Sequence, residues 1–142
     1  MVSGEFEIST DPSRIDVELV HDFLSHSYWA QGRTRAIVER SINNSLGFGV
    51  YRSTQQVAFA RVITDRAVFA YLADVFVVPE FRGRGISKAL VRAILDHPDL
   101  RSLRLILLQT RDAHGLYAKF GFRVPSQPEW IMELPAPDAE AR

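Results

Sequence analysis

Val75-Phe76-Val77-Val78-Pro79-Glu80-Phe81-Arg82-Gly83-Arg84-Gly85-Ile86-Ser87-Lys88 is the stretch that decides how this chain is read. An apolar run stops at a proline, which cannot donate to a strand ladder. A turn with two glycines follows, and a helix opens. The first N–H groups of a helix have no intrahelical partners, and the helix dipole puts partial positive charge there. Glycines let the backbone approach a ligand closely. Arg82, Arg84 and Lys88 add formal positive charge. Together these describe an anion cradle suited to phosphate. The plainer alternative is a strand-to-helix turn with surface arginines. The stretch is not a nucleotide P-loop, since no Gly-Lys-Ser/Thr follows, and it lacks the G-x-G-x-x-G of a dinucleotide fingerprint.

Upstream, Ala67 to Val78 is twelve residues long with Asp74 as its single charge. Such a run fits a central strand covered on both faces. Weak alternation suggests a first strand at Glu5 to Ser9. Asp11-Pro12 reads as an N-cap and a first-turn proline. Ile15, Leu19, Val20, Phe23 and Leu24 then share one face of a helix ending near Ser27. A loop, Ser27 to Gly32, leads to a second helix over Arg33 to Asn44. Strands are expected at Gly47 to Tyr51 and Gln56 to Ile63.

Downstream, Ile86, Leu90, Val91, Ile94 and Leu95 form the stripe of a helix over Arg84 to His97. Leu103 to Leu108 reads as a buried strand. Asp112 to Phe120 reads as a short helix, with Gly121 as a left-handed cap. Trp130 to Leu134 is expected to be a last strand, and 135–142 a disordered tail. The order β-α-α-β-β-β-α-β-α-β implies a single α/β (α+β) domain over 1–134. It has one mixed sheet and about four flanking helices.

Composition sets outer limits. The 142 residues suit one domain. Lys+Arg and Asp+Glu are both 17, so no net charge draws the chain to nucleic acid or an anionic membrane. There is no cysteine, which excludes disulfides, Cys-based zinc sites and thiol nucleophiles. No apolar run reaches the ~18 residues of a membrane span. Met1-Val2-Ser3-Gly4-Glu5 lacks the features of a signal peptide, so a cytoplasmic location is expected. His21, His26, His97 and His114 show no metal-ligand spacing, and no metal is expected.

Val77-x-Pro79-x-Phe81-Arg82-Gly83-Arg84-Gly85-Ile86 resembles the acyl-CoA motif of the GNAT superfamily of N-acetyltransferases, R/Q-x-x-G-x-G/A. A second block, Thr110-Arg111-Asp112-Ala113-His114-Gly115-Leu116-Tyr117-Ala118-Lys119-Phe120-Gly121-Phe122, is similar to that family's N-x-x-A-x-x-L-Y-x-K-x-G-F. The two matches fall in the right order, and the element order from Glu5 to Leu134 fits the family's mostly antiparallel mixed sheet. Ser87 departs from the usual Gly/Ala and Thr110 from the usual asparagine.

The resemblance implies acetyl-CoA as co-substrate and an amine-bearing acceptor, and a homodimer is compatible with it. The motif amides of Gly83, Arg84, Gly85, Ile86, Ser87 and Lys88, opened by Arg82, would hold a pyrophosphate. Val75, Phe76 and Val77 would line the pantetheine arm, one of their N–H groups meeting the thioester oxygen. Thr110 would touch the same arm. Tyr117 matches the tyrosine that protonates the departing thiolate, a reasonable role for a phenol of pKa about 10. Its spacing with Ala113, Leu116 and Phe120 also suits a core aromatic.

Asp74 has two open readings. Burial would raise its pKa and suit it to act as general base. Otherwise it is a structural carboxylate paired with an arginine. With Asp65-Arg66 as a two-residue hairpin loop, Val57 faces Asp74. Arg61 then lies four residues along, roughly 13 Å away at 3.3 Å per residue, so no direct ion pair is expected. Tyr28 and Trp29 border the expected acceptor side, either as a cation–π site or as a plug between helices. Two other functions compete with acetyl transfer. One is a non-catalytic acyl-CoA sensor, suggested by Ser87 and Thr110. The other is nucleic-acid binding through Arg82, Arg84, Lys88 and Arg92, which zero net charge opposes.

Overall fold

The apolar strand segments assemble in chain order into one five-stranded sheet, β1-β2-β3-β4-β5, in a computed structural model that describes residues 4–137. The strands are β1 (Glu7–Ser9), β2 (Leu46–Arg52), β3 (Gln55–Thr64), β4 (Phe69–Val77) and β5 (Leu105–Leu108). All pairings are antiparallel except β4 with β5, which is parallel and connected through a helix. The helices are α1 (Val17–Ser25), α2 (Arg35–Asn43), α3 (Ile86–Asp96) and α4 (His114–Ala118). Residues 1–3 and 138–142, which include part of the expected tail, lie outside the described residues.

Two apolar faces explain the layering. Leu46, Phe48 and Val50 of β2 share a face with Ala58, Ala60 and Val62 of β3. That face meets α3, whose Ile86, Leu90, Val91 and Ile94 are buried. Phe48 sits edge-on to His97 at the helix end, 5.6 Å between centroids. On the other face Phe59 and Phe76 meet α1, where Phe23 stacks on Phe76 at 4.0 Å. Buried Gln56 ties this layer down, accepting from the Asp16 amide at 2.8 Å and donating to the Ala58 carbonyl.

Two expectations are corrected. The first helix does not run from Asp11. Asp11 caps only a single turn, Pro12–Arg14, and Asp16 caps α1 afresh by accepting from the Leu19 amide. The second concerns Trp130 to Leu134, which is not a strand. Pro128 opens a short turn through Trp130, and the following residues join no strand among the described residues, leaving Met132 and Leu134 over 90% exposed. Apolar content does not make a strand without a partner edge to satisfy its backbone. Gly121 is left-handed as expected, with φ 94°.

Candidate active site

The site is a consequence of how β4 outruns β5. Their pairing begins at Phe69↔Leu105 and stops at Leu72↔Leu108, while β4 continues to Val77. Beyond Leu72 one edge of β4 is therefore open. Alternate residues of a strand send their N–H and C=O groups to opposite edges. The Val78 amide donates to the Val57 carbonyl on the β3 side. The amides of Val75 and Val77 accordingly face the open edge, and that of Phe76 faces β3.

The glycine turn stands at the far end of this edge. Gly83 (φ 80°) and Gly85 (φ 77°) are both left-handed, and Gly85 is the N-cap of α3. They shape a cavity of about 430 Å³ lined by Val77, Arg82, Gly83, Gly85, Ile86, Ser87, Lys88 and Leu116, with Phe81. A Cβ built on either glycine meets nothing within 4 Å, so the glycines are needed for their backbone shape rather than for space. Arg82 turns back on the strand, its Nε donating to the Val77 carbonyl at 3.1 Å. Arg84 lies over the Phe81 ring at 5.0 Å, and Arg92 over Phe120 at 4.9 Å. Arg82 and Arg84 of the turn thus each serve a separate local contact.

A second cavity, about 590 Å³, opens at the near end of the same edge. Val75 of β4 and Tyr117 of α4 line it, one or two residues from Val77 and Leu116 of the first cavity. The two cavities are thus neighbours along β4 and α4. Tyr117 is 7% exposed and stands edge-on to Phe122. Its hydroxyl makes no hydrogen bond to any described residue. Burial, and then Tyr28, push its pKa up to about 12. Thr110 lines the second cavity, and its Oγ1 accepts from the Ala113 amide at 3.0 Å, capping the turn that starts α4. His114 is exposed and outside both cavities.

Asp74 overturns two expectations. The β3–β4 loop is longer than two residues, because the Asp65 carboxylate accepts from the amides of Ala67, Val68 and Phe69. The register becomes Thr64↔Ala70 and Arg61↔Ala73. A regular ladder in that register would send Asp74 to the face opposite Arg61. Instead β4 bulges, Asp74 and Val75 standing opposite Ala60, and left-handed Asp74 (φ 55°) turns its carboxylate to the Arg61 side. Arg61 Nε then donates to Asp74 Oδ2 at 2.9 Å. Arg33 Nη1 donates to both carboxylate oxygens, and Trp29 Nε1 to Oδ1 at 2.9 Å.

The direct ion pair therefore exists, twice over. Burial pushes the Asp74 pKa up most strongly of any single cause, but the charges of Arg61 and Arg33 and the hydrogen bonds from Arg61 and Trp29 together outweigh it and hold the carboxyl below its usual value. The expected upward shift is reversed, and with it the ground for a general base. Tyr28 and Trp29 are no plug. They are about 40% exposed, stand edge-on 5.1 Å apart and line the second cavity. The Arg111 guanidinium already covers the Tyr28 ring at 3.9 Å.

A glycine-shaped cavity, an open strand edge and a buried phenol lining a second cavity thus follow one another along β4 and α4. A family model described as an acetyltransferase (GNAT) domain matches residues 43–124. A protein of Gibberella zeae that bears the name of an acetyltransferase is 30% identical over 144 residues, covering 84% of this chain and 80% of that protein. A crystal structure from Xanthomonas campestris pv. campestris, ascribed to the GNAT family, has a TM-score of 0.92 at 51% identity, covering 96% of this chain and 97% of that one. A Clostridium acetobutylicum structure containing acetyl-CoA shares the fold, with a TM-score of 0.66 at 18% identity over 91% and 94% of the two chains. The chain belongs to the GNAT superfamily of acetyltransferases. By family it is an acyltransferase, a conclusion that the fold alone would not license.

Proposed function

We propose that this acetyltransferase takes its acetyl group from acetyl-CoA and passes it to a primary amine by direct attack on the thioester. The observation that carries this reading is the open edge of β4, which connects the glycine cradle to the cavity lined by Tyr117. The residues fit the co-substrate. The left-handed glycines shape the cavity that Gly83, Gly85, Ile86, Ser87 and Lys88 line, where backbone amides of the turn and of the first turn of α3 would hold a pyrophosphate. Arg82 braces the end of β4 rather than a phosphate. The Val75 and Val77 amides offer donors for the pantetheine arm and for the oxyanion, while the Phe76 amide faces β3 and Phe76 contributes packing.

Tyr117 is the acid in this reading. With its pKa pushed up to about 12, the phenol is fully protonated at working pH. Proton transfer to a thiolate of ordinary basicity would be uphill. A thiolate forming in the same desolvated pocket has its own basicity raised, which brings the two groups closer to balance. Asp74 anchors Arg33, Arg61 and Trp29 around the acceptor cavity and is not the base. Thr110 holds α4, and through it Tyr117.

The test mixes the purified chain with acetyl-CoA and a panel of amines while free thiol is followed. Tyr117→Phe is expected to lower kcat about a hundredfold or more, with the acetyl-CoA KM little changed. Unchanged turnover in that variant would remove the acid assignment. Tight coenzyme A binding with no turnover on any amine would favour the sensor instead.

A further inference from the structure

The second cavity carries a charge imbalance that the transfer chemistry does not use. Arg33, Arg61 and Arg111 line it against Asp74 and Asp112. Asp112 is spread at the rim, where its side chain and that of Arg111 are each 67% exposed and 3.5 Å apart. The inner group is different. Two guanidiniums, 14% and 11% exposed, share one carboxylate that is 2% exposed. That leaves one positive charge largely removed from water without a counter-charge. Arg33 spends Nη1 on Asp74, and its Nε and Nη2 have no partner among the described residues. His26 also lines the cavity, but its Nδ1 is turned to the Asp22 carbonyl at 2.9 Å.

Two largely buried guanidiniums sharing one carboxylate are only half neutralised, and the free side of the Arg33 fork is shaped for a second carboxylate or a phosphate. The same surplus repels a simple ammonium ion approaching the site. Both problems have one solution. We propose that the acceptor carries an anionic group, a carboxylate or a phosphate, in addition to its amine, and that Arg33 holds that group. The assignment rests on the reading of this cavity as the acceptor side. It separates the substrate class from polyamines and other purely cationic amines.

Trp29 supplies a local reporter, since its indole N–H is bonded to Asp74 beside Arg33. In the nitrogen-labelled protein the Trp29 indole resonance is distinguished from that of Trp130 by Trp130→Phe. Acetate and phosphate, as separate probes, should shift the Trp29 resonance, and propylamine should not; the stronger of the two anions identifies the group. The shift should disappear in Arg33→Gln and weaken in Arg33→Lys, which keeps the charge but loses the fork. Absence of any anion-dependent shift, or an equal shift in Arg33→Gln, overturns the site.

A second arm compares an amino acid with its amide as acetyl acceptors. The anionic member should have about tenfold or more higher kcat/KM, falling to parity in Arg33→Gln. A preference for the amide or for a diamine overturns the proposed substrate class. An anion-dependent shift with no acetylation of any amine would uphold the site and defeat the transfer reading instead.

Discussion

A carboxylate with 2% of its side chain exposed stays ionised only where donors surround it, and Asp74 has two arginines and an indole. Asp74→Asn keeps the shape but leaves two guanidiniums without their anion, which is expected to cost about 3–5 kcal/mol at neutral pH. The loss should shrink in acid. The folded pKa lies below the usual 3.8, so the carboxylate's contribution is present above that value and is lost as pH falls through the lowered one. Urea unfolding of both proteins at neutral pH and near pH 3 checks this; a gap independent of pH would contradict it. Gly85 gives a second expectation at this scale. A side chain there meets no atom, but the left-handed backbone costs an L-residue roughly 1–2 kcal/mol. Gly85→Ala should therefore either lose that stability or relax and close the cradle. Calorimetry and steady-state kinetics separate the two: a lower Tm with the acetyl-CoA KM unchanged marks the first and a raised KM the second, while no change in either would show that the cradle does not need this conformation.

The elements that build the site were legible to different degrees. The strand, glycine turn and amphipathic helix from Val75 to Ile94 announce themselves by periodicity and by residues with fixed backbone roles. The lone charges Arg61 and Asp74, each in an apolar strand, were equally visible. Their pairing was not, because it depends on the Asp65 turn and on a bulge, and register is a property of two strands together. Trp130 to Leu134 shows the opposite failure, a strand-like sequence with no edge to join. Arg33 reads as the start of the second helix but lies in the loop just before it, and only the fold sets it on Asp74. The short α4 depends on local help. The Thr110 hydroxyl replaces an intrahelical acceptor for the Ala113 amide. Thr110→Val should destabilise α4 by about 1 kcal/mol and lower kcat through Tyr117, whereas Thr110→Asn, which keeps an acceptor, should do neither. Hydrogen exchange at the α4 amides distinguishes this from a direct role in binding, for which exchange would stay constant while the acetyl-CoA KM rose.

Across the whole molecule the perturbed groups define a pH range of stability. Asp11, Asp65 and Asp74 all have lowered pKa values, and Tyr51, Tyr71 and Tyr117 all have raised ones. Burial is the main cause for each tyrosine, Arg14 partly offsetting it at Tyr51. A phenol whose folded pKa lies above its unfolded value of 10.0 binds its proton more tightly in the native state. Its contribution is complete below pH 10.0 and is lost as pH rises toward the folded value, about 12 for Tyr117. The urea midpoint should therefore be flat through neutral pH and fall above pH 10. Tyr117→Phe has no phenol to ionise, so it should fall less steeply between pH 10 and about 12 than the parent. The activity of the parent should show no alkaline limb from Tyr117 below pH 10, since the acid stays protonated there. Parallel alkaline slopes for the two proteins would mean that Tyr117 titrates as an exposed phenol, and would take away the buried acid on which the catalytic assignment depends.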